Sequence, residues 1–267
     1  MNAALRWVVL GFVLGSSLGM AQDSNPTIEV LEAETAEHRI GTRGPIYTDL
    51  GQNMDPTSLA RILEPLTFEV VVGTDGKTLE AQTISGFIFD LTLLWKTWQY
   101  KPFERNGHQV VAKVGESVTI LSIQKRSEVH IPFPEIHDWN SLRITLRRSA
   151  CYGICPTYRT EIHGDGTVLY NGEANVGTTG EKKLKISQPS LVQLVDAFRK
   201  ADYFSLADGY VSGITDMPTY ASSISFDGQS KSVLDYVGRS LGMPPAVSNV
   251  EEAIDRLSGA SKLIRQK

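Results

Sequence analysis

Cysteine is nearly absent from this sequence: Cys151 and Cys155 are the only two in 267 residues. Positive charge is not in surplus either, since 26 Lys and Arg face 30 Asp and Glu, for a formal net charge of −4. Nucleic-acid binding needs a basic surface that neutralises phosphates, so we predict no nucleic-acid partner. Hydrophobic residues make up 41% of the sequence, which is enough to bury a core and excludes a disordered chain.

Catalytic and metal-binding motifs are also absent. The five histidines fall at spacings that match no zinc-ligand or metalloprotease pattern. They are His38, His108, His130, His137 and His163. Neither Gly-x-Ser-x-Gly nor a phosphate-binding glycine-rich loop occurs. We therefore predict no catalytic residues, no metal site and no cofactor, and the sequence favours a non-enzymatic protein.

The longest apolar run extends from Trp7 to Met20, follows Arg6 and ends at the small-residue motif Gly19-Met20-Ala21. It falls short of the ~20 apolar residues that span a bilayer, and its flanks are typical of a secretory signal peptide. We predict a signal peptide over residues 1–21, a mature chain that begins at Gln22 and has no membrane span, and a periplasmic or secreted location. The alternative is an uncleaved membrane anchor.

Hydrophobic periodicity predicts an α+β fold of two small domains, each a mostly antiparallel sheet with one or two packed helices. The predicted order after the signal peptide is an irregular arm over 22–54, a first domain over 55–123, a linker over 124–140, a second domain over 141–259 and a tail over 260–267. The linker is indicated by Pro132 and Pro134, which lack backbone donors and favour extended chain.

The first domain combines a hairpin with a helix. Alternating residues from Phe68 to Val72 lead into Asp75-Gly76, a strong hairpin-turn signal. Apolar residues between Phe87 and Trp98 then recur at helical spacing, which predicts a helix packed on the hairpin.

The same stretch continues with Trp98-Gln99-Tyr100-Lys101-Pro102 and with Asn106-Gly107 before a last strand. In these features, residues 66–121 resemble the C-terminal domain of TonB-type proteins. The resemblance implies that fold and a setting in the cell envelope. It does not imply energy transduction, because such transducers keep a membrane anchor and a long proline-rich spacer, and only a short stretch precedes the domain here.

The second half carries a separate group of motifs. They are Arg147, the run from Cys151 to Tyr158 with its Cys-Tyr-Gly-x-Cys-Pro motif, Asp165-Gly166, Asp202-Tyr203-Phe204 and Thr215-Asp216-x-Pro218-Thr219. In these, residues 144–257 resemble a domain family of unknown function found in bacterial envelope and secreted proteins. The resemblance implies a compartment and a fold but no activity. Ser248-x-x-Glu251 further predicts a capping box for the last helix.

Cys151 and Cys155 can pair only with each other within the chain, and a disulfide is the usual outcome in an exported protein. Two alternatives stay open: a redox-active pair and metal ligation. Thiol-disulfide catalysts usually separate their cysteines by two residues at a helix N-terminus. Here three residues separate them, and the loop leads into a predicted strand.

The best candidate for a binding loop runs from Thr215 to Thr219 and contains Asp216 and Pro218. An Asp between two hydroxyl residues and fixed by a proline suits a sugar, a peptide backbone or a cation. The alternative is a local turn in which Asp216 accepts its own downstream amides. A hydrolase site that combines Asp216 with His163 is neither supported nor forbidden.

We predict a non-enzymatic envelope module that binds another envelope protein or a cell-wall polymer, with exposed edge strands as the natural means. The second hypothesis is a thiol-disulfide oxidoreductase or redox sensor that uses Cys151 and Cys155.

Overall fold

The fold is that of a computed structural model that describes residues 27–51, 54–86, 90–123 and 129–265. The predicted signal peptide, its cleavage before Gln22, the start of the predicted helix at Phe87 and residues 124–128 of the predicted linker lie outside the described residues. The architecture is α+β with mostly antiparallel sheets, as predicted.

The first half of the chain forms short strands and three α-helices within the described ranges. In chain order they are β1 (Ile28–Glu29), α1 (Glu32–His38), β2 (Arg39–Ile40), β3 (Ile46–Thr48), α2 (Pro56–Ile62), β4 (Leu66–Val72), β5 (Thr78–Ser85), α3 (Thr92–Trp95), β6 (Gln99–Tyr100), β7 (Phe103–Arg105), β8 (His108–Val110), β9 (Ala112–Val118) and β10 (Ile120–Ser122).

The second half has longer strands and two long helices. Its elements are a 3₁₀ helix (Trp139–Ser141), β11 (Arg143–Arg148), β12 (Thr157–His163), β13 (Thr167–Ala174), β14 (Gly180–Lys185), α4 (Gln188–Lys200), a 3₁₀ helix (Tyr203–Ser205), β15 (Gly209–Val211), β16 (Tyr220–Phe226), β17 (Gln229–Tyr236), a 3₁₀ helix (Gly238–Leu241), α5 (Pro245–Ser258) and α6 (Ala260–Ile264). None of the described helices is long and apolar enough to cross a membrane.

Two main sheets organise the fold. The smaller has the order β1-β9-β4-β5, and the larger has the order β10-β3-β15-β17-β16-β11-β12-β13-β14. Strands β3 and β10 come from the first half yet extend the sheet of the second half, with β3 parallel to both β10 and β15. The two halves of the chain therefore share one sheet.

The predicted irregular arm is more structured than the sequence indicated. It contains α1 and β3, and Ile46 and Tyr47 of β3 are buried at 0% and 4% exposure. A three-residue strand is too short to show a period, and its partners lie far away in the sequence, so local patterning did not reveal it. The residues predicted as a tail likewise include α6, whose Ile264 and Leu263 carbonyls accept backbone bonds from Gly177 and Thr178.

Asp-Gly turns close three hairpins among the described strands, and the hairpin predicted at Asp75-Gly76 is confirmed. Asp75-Gly76 joins β4 to β5, Asp165-Gly166 joins β12 to β13, and Asp227-Gly228 joins β16 to β17. The glycine at each turn has a positive φ, for example 83° at Gly166, a conformation that costs glycine little. In the second hairpin the Asp165 side chain accepts the Thr167 backbone N–H at 2.8 Å, which fixes the turn.

Two helix predictions need correction. Helix α5 begins at Pro245, so Ser248 and Glu251 lie inside it and do not form a capping box. Proline is well suited to the first helical position, and the pair Pro244-Pro245 sets the start earlier than the capping motif suggested. The helix predicted between Phe87 and Trp98 is, in the described part, only the single turn α3. Helix α4 begins at Gln188, directly after its N-cap Ser187, whose hydroxyl accepts the Ser190 N–H.

Two hydrophobic cores lie on opposite faces of the large sheet. One is formed by α4 and α5 against β11, β12, β13 and β16, with Leu146, Phe198 and Ile254 at its centre. The other joins the small sheet and α3 to Ile46 and Leu234 on the opposite face. The second core covers one face of strands β3, β15 and β17. The outer strands β11 to β14 keep half-buried or exposed polar side chains on that face.

Candidate functional site

The two loops predicted from the sequence as candidate sites, around Cys151–Cys155 and Thr215–Thr219, lie at one end of the large sheet. Arg148 at the end of β11 is paired with Tyr220 at the start of β16. Because the two strands are antiparallel neighbours, the segment after β11 and the segment before β16 leave the sheet side by side. We call residues 149–156 and 214–219 together the tip.

Hydrogen bonds join the two segments of the tip. The Ser149 N–H donates to the Thr219 carbonyl at 2.9 Å, and the Thr219 N–H donates to the Ser149 hydroxyl at 2.9 Å. Further out, the Tyr152 N–H donates to the Asp216 carbonyl at 3.1 Å. The cysteine loop and the Asp216 loop therefore form one connected surface.

Cys151 and Cys155 form a disulfide, with Cα atoms 5.6 Å apart. Gly153 between them has φ 146°, a backbone conformation that favours glycine. With both sulfurs in the bond, neither is left as a thiolate for a metal. Among the described residues, no group of three or more His, Cys, Asp or Glu could hold a metal ion.

The loop around Asp216 is exposed and differs from the turn considered as an alternative. Asp216 has φ 72°, and its carboxylate accepts the Thr215 hydroxyl at 3.0 Å. Within the described part of the chain it accepts no downstream amide, and the Met217 N–H instead faces the Tyr236 hydroxyl at 3.4 Å. Thr215 and Asp216 are exposed, while Pro218 and Thr219 are half-buried.

The combination of Asp216 with His163 in a hydrolase site is wrong. His163 ends β12 and is paired with Arg143, at the opposite end of β11 from Arg148. Five residues of a strand extend about 16 Å, so the two side chains lie at opposite ends of the sheet. No reacting group can contact both.

The tip surrounds a cleft and exposes large apolar side chains. The cleft has a volume of about 400 Å³ and is lined by Ser149, Ile214, Thr215, Met217 and Tyr236 among others. The exposed apolar side chains are Tyr152 at 88%, Ile154 at 79%, Ile214 at 52% and Met217 at 46%. Clustered apolar side chains of this size are unusual on the free surface of a monomer and mark contact sites.

A buried polar row lies beneath the tip, on the face of the sheet that the helices cover. Tyr158, Arg148, Tyr220 and Asp235 are neighbours in register across β12, β11, β16 and β17. The Arg148 guanidinium carbon lies 4.8 Å from the centre of the Tyr220 ring, a cation–π contact. Charge and aromatic rings thus replace the apolar packing found further along the same strands.

Helix α5 places two more carboxyl groups over this row. Glu251 and Asp255 are one turn apart, and the Tyr158 hydroxyl donates to Asp255 Oδ2 at 2.6 Å. We call Asp235, Glu251 and Asp255 the carboxyl cluster. Among the described residues, Glu251 Oε1, Asp255 Oδ1 and Arg148 Nε are buried without a hydrogen-bond partner.

Burial raises the pKa of all three carboxyl groups. The pKa of Asp255 is raised to about 6, because burial outweighs the hydrogen bond from Tyr158 and the charge of Arg148. The pKa of Glu251 lies well above its ordinary value because of burial and then of the negative charges of Asp235 and Asp255. Burial also raises the pKa of Asp235, although the Gly238 N–H donates to it. The cluster therefore takes up protons at a pH where exposed carboxyl groups are ionised.

This cluster was not predicted from the sequence, although one signal was present. Glu251 and Asp255 fall on the apolar face of α5, in the same stripe as Val247 and one turn apart. Acidic residues on a helix face that is otherwise apolar indicate burial, since helices place charge on the opposite face. Because Glu251 was interpreted as part of a capping box, its position on the apolar face of α5 was not recognised as a sign of burial.

The tip and the carboxyl cluster are built by strands and helices that lie between Leu142 and Ser258. Residues 142–258 match the family described as Domain of unknown function (DUF6438). The matched region contains Arg148, both loops of the tip and the whole of α5. It stops short of residues 66–121, so the TonB resemblance stays a prediction. No curated protein matches the chain.

The carboxyl cluster makes the stability of the matched region depend on pH. A carboxyl group whose pKa is raised by folding binds its proton more tightly in the native state, so the free energy of unfolding falls as pH rises from about 4 to beyond 6. For Asp255, a rise of two units corresponds to about 3 kcal/mol. About 2 kcal/mol of this falls between pH 4.5 and 7.5. Asp255→Asn is therefore expected to make the decline over that range smaller by about 2 kcal/mol, with the contributions of Glu251 and Asp235 remaining, measured by urea unfolding at each pH.

Asp165→Asn is the matched control for this measurement. Hydrogen bonds from Thr167 and then the charge of Lys185 lower the pKa of Asp165 to about 2, below the range of the experiment. Its replacement is expected to leave the slope between pH 4.5 and 7.5 unchanged. An equal slope in wild type and Asp255→Asn would contradict the assignment of a raised pKa to this group.

Proposed function

We propose that this protein is a non-enzymatic, exported binding module whose tip contacts another envelope protein. The observation that carries the proposal is the exposure of Tyr152 and Ile154 on a five-residue disulfide ring, beside Ile214 and Met217 at the rim of the cleft. A few residues, often Tyr, supply most of the binding energy of a protein interface, and the buried core of an interface is more apolar than its rim.

The rigidity of the tip supports a role in binding. The disulfide closes the ring that carries Tyr152 and Ile154, and hydrogen bonds fix Ser149 and Thr219 to each other. A surface that is ordered before the partner arrives loses less conformational entropy on association. In the chain-entropy relation, a ring this small adds only about 2 kcal/mol to global stability. The disulfide therefore acts mainly on the local shape.

Edge strands offer a second surface of the kind that the sequence analysis considered. Strand β14, at one edge of the large sheet, carries Lys182, Lys183 and Lys185, and lysines on an edge discourage pairing with another chain. Strand β5, at the edge of the small sheet, is eight residues long and exposes Leu79 and Ile84 at 54% and 61%. Between these two edges, β5 is the better candidate for strand addition.

Export is part of the proposal and rests on two supports. Disulfides persist in oxidising compartments and are rare in the cytosol of most organisms, and Cys151 and Cys155 are bonded. The apolar run from Trp7 to Met20 gives the sequence-based prediction of a signal peptide. A periplasmic or secreted location agrees with both.

Binding to soluble envelope proteins, and separately to isolated cell wall, is the experiment that tests the tip. The immobilised purified protein is expected to retain a partner from the protein fraction. The double variant Tyr152→Ser, Ile154→Ser is expected to weaken that retention at least tenfold. The matched control is Leu79→Ser, Ile84→Ser, which removes two exposed apolar side chains from β5 and leaves the tip intact.

The outcomes separate the two surfaces. Loss of binding in the tip variant alone supports the proposal, and loss in the β5 variant alone assigns binding to the edge strand instead. Retention on cell wall that only the tip variant loses identifies a wall polymer as the partner. Binding that neither variant weakens, or no binding to either fraction, rejects the tip as the functional surface.

The redox hypothesis for Cys151 and Cys155 stays a prediction, and the surroundings of the pair do not favour it. Thiol-disulfide catalysts stabilise their thiolate at a helix N-terminus. Here Cys155 is followed by strand β12, whose backbone supplies no such dipole.

A further inference from the structure

Two arginines face each other on the open face of the large sheet. Arg147 in β11 is directly opposite Arg159 in β12 in the antiparallel register. Their neighbours Leu146 and Tyr158 point into the helix-side core. Side chains alternate between the faces of a strand, so both arginines lie on the other face. Opposite residues of an antiparallel pair have Cβ atoms about 5 Å apart, and like charges there are destabilising.

The charges of the two arginines are only partly compensated, by the carboxylates of Glu173 and Glu161 acting on Arg147. Within the described part of the chain, the guanidinium groups of Arg147 and Arg159 make no ion pair and no hydrogen bond. Arg143 is different: it lies on the same face of β11, and its guanidinium is 3.3 Å from the carboxylate of Glu161. Burial, and then the positive charge of Arg159, lower the pKa of Arg147 to about 10. The pair therefore stands in an electrostatically unfavourable arrangement.

A cleft adjoins Arg159 of the pair. It has a volume of about 340 Å³, and its lining includes Arg159, Leu169, Asn171, Glu181 and Lys183. In the register of the sheet Asn171 is the next neighbour of Arg159, so an amide extends the row of donors. Lys183 adds a further positive charge, against the single carboxylate of Glu181.

We infer that Arg147 and Arg159 form an oxyanion site that binds a phosphate or carboxylate group of a ligand. Each guanidinium offers five N–H donors in a planar fork, and carboxylates and phosphates accept such forks in pairs. One oxyanion between the two forks removes the repulsion and satisfies donors from both residues. The site lies on a different face from the carboxyl cluster and does not depend on the function proposed for the tip.

The test of the site is the Tm of the purified full chain. It is measured in inorganic phosphate, in acetate and in chloride at equal ionic strength. Phosphate, acetate or both are expected to raise the Tm of the wild type above its value in chloride. Arg147→Gln and Arg159→Gln are each expected to weaken that binding at least tenfold. Arg143→Gln is the matched control, because it removes the same charge from the same face but leaves the pair intact.

The ligand-free variants give a second readout that a merely structural role would not produce. In low-salt chloride, Arg159→Gln is expected to have a Tm equal to or above that of the wild type, since one of two repelling charges is gone. Arg147→Lys keeps the charge and loses the fork, and it is expected to bind the anion more weakly than the wild type.

Protection by phosphate alone or by acetate alone identifies which of the two groups the site prefers. Absence of protection by both anions in the wild type overturns the proposal. So does protection that persists in Arg147→Gln and Arg159→Gln, or a Tm of ligand-free Arg159→Gln below that of the wild type.

Discussion

Glu116→Gln is expected to lower the free energy of unfolding by about 3–5 kcal/mol, the usual cost of removing one partner from a buried ion pair. The Glu116 side chain has no exposed surface. Its carboxylate accepts Arg39 Nε at 3.0 Å and Nη2 at 2.7 Å, Arg43 Nη2 at 3.2 Å and the Tyr100 hydroxyl at 2.8 Å.

The loss has a simple electrostatic cause. The Arg43 side chain is only 7% exposed, and its guanidinium carbon lies 4.5 Å from the centre of the Trp98 ring. Without the negative charge of Glu116, this cation stays buried and uncompensated. Gln also has one acceptor atom where the carboxylate has two, so at least one donor loses its partner.

Urea unfolding followed by tryptophan fluorescence measures the effect. The matched control is Glu69→Gln, on the neighbouring strand β4, where Glu69 is 3.0 Å from Lys113 and the two side chains are 39% and 34% exposed. Exposed ion pairs contribute about 0–1 kcal/mol, so the control is expected to unfold almost as the wild type does. Equal losses in the two variants would contradict the role given to burial.

Asp208→Asn is expected to cost a similar amount, about 3–5 kcal/mol, through a second buried pair. Asp208 Oδ1 lies 2.6 Å from Lys231 Nζ, and the two side chains are 5% and 6% exposed. The other oxygen of Asp208 accepts the Gly44 N–H at 2.7 Å. The pair therefore joins the segment before β3 to the hairpin strand β17.

A double variant separates the loss of a pair from the burial of a lone charge. Asp208→Asn with Lys231→Met removes both charges and keeps the acceptor for Gly44. It is expected to be more stable than Asp208→Asn alone, since replacing both partners of a buried pair is often nearly neutral. Asp196→Asn, which breaks the exposed pair with Arg199, is the surface control. A double variant no more stable than the single one would show that the charge of Lys231 is not the cause.

Local features of the fold were predictable because their causes lie within a few residues. Asp165 caps its own turn, and Ser187 accepts the N–H of a residue three positions further on. The alternation from Phe68 to Val72 appears directly in the burial of β4. In each case the partner is close in sequence, so the pattern of residues is sufficient.

The candidate site was predictable only in part. Both segments of the tip were selected from sequence, Cys151 to Cys155 by the pairing of the only two cysteines and Thr215 to Thr219 by composition. Their contact depends on the antiparallel pairing of β11 with β16, whose members are separated by more than seventy positions. The Arg147–Arg159 pair depends in the same way on the register of β11 with β12.

The sequence by itself determined the fold class, the Asp-Gly turns, the start of α4 and the disulfide partners. These follow from backbone conformational preference, hydrophobic period and the small number of cysteines. Only the tertiary structure decided that β3 and β10 complete the large sheet, that Glu251 is buried rather than a cap, and that His163 lies far from Asp216. Register and burial arise from contacts between distant segments, and a one-residue change of register would reverse the faces of a strand, so no local pattern could fix them.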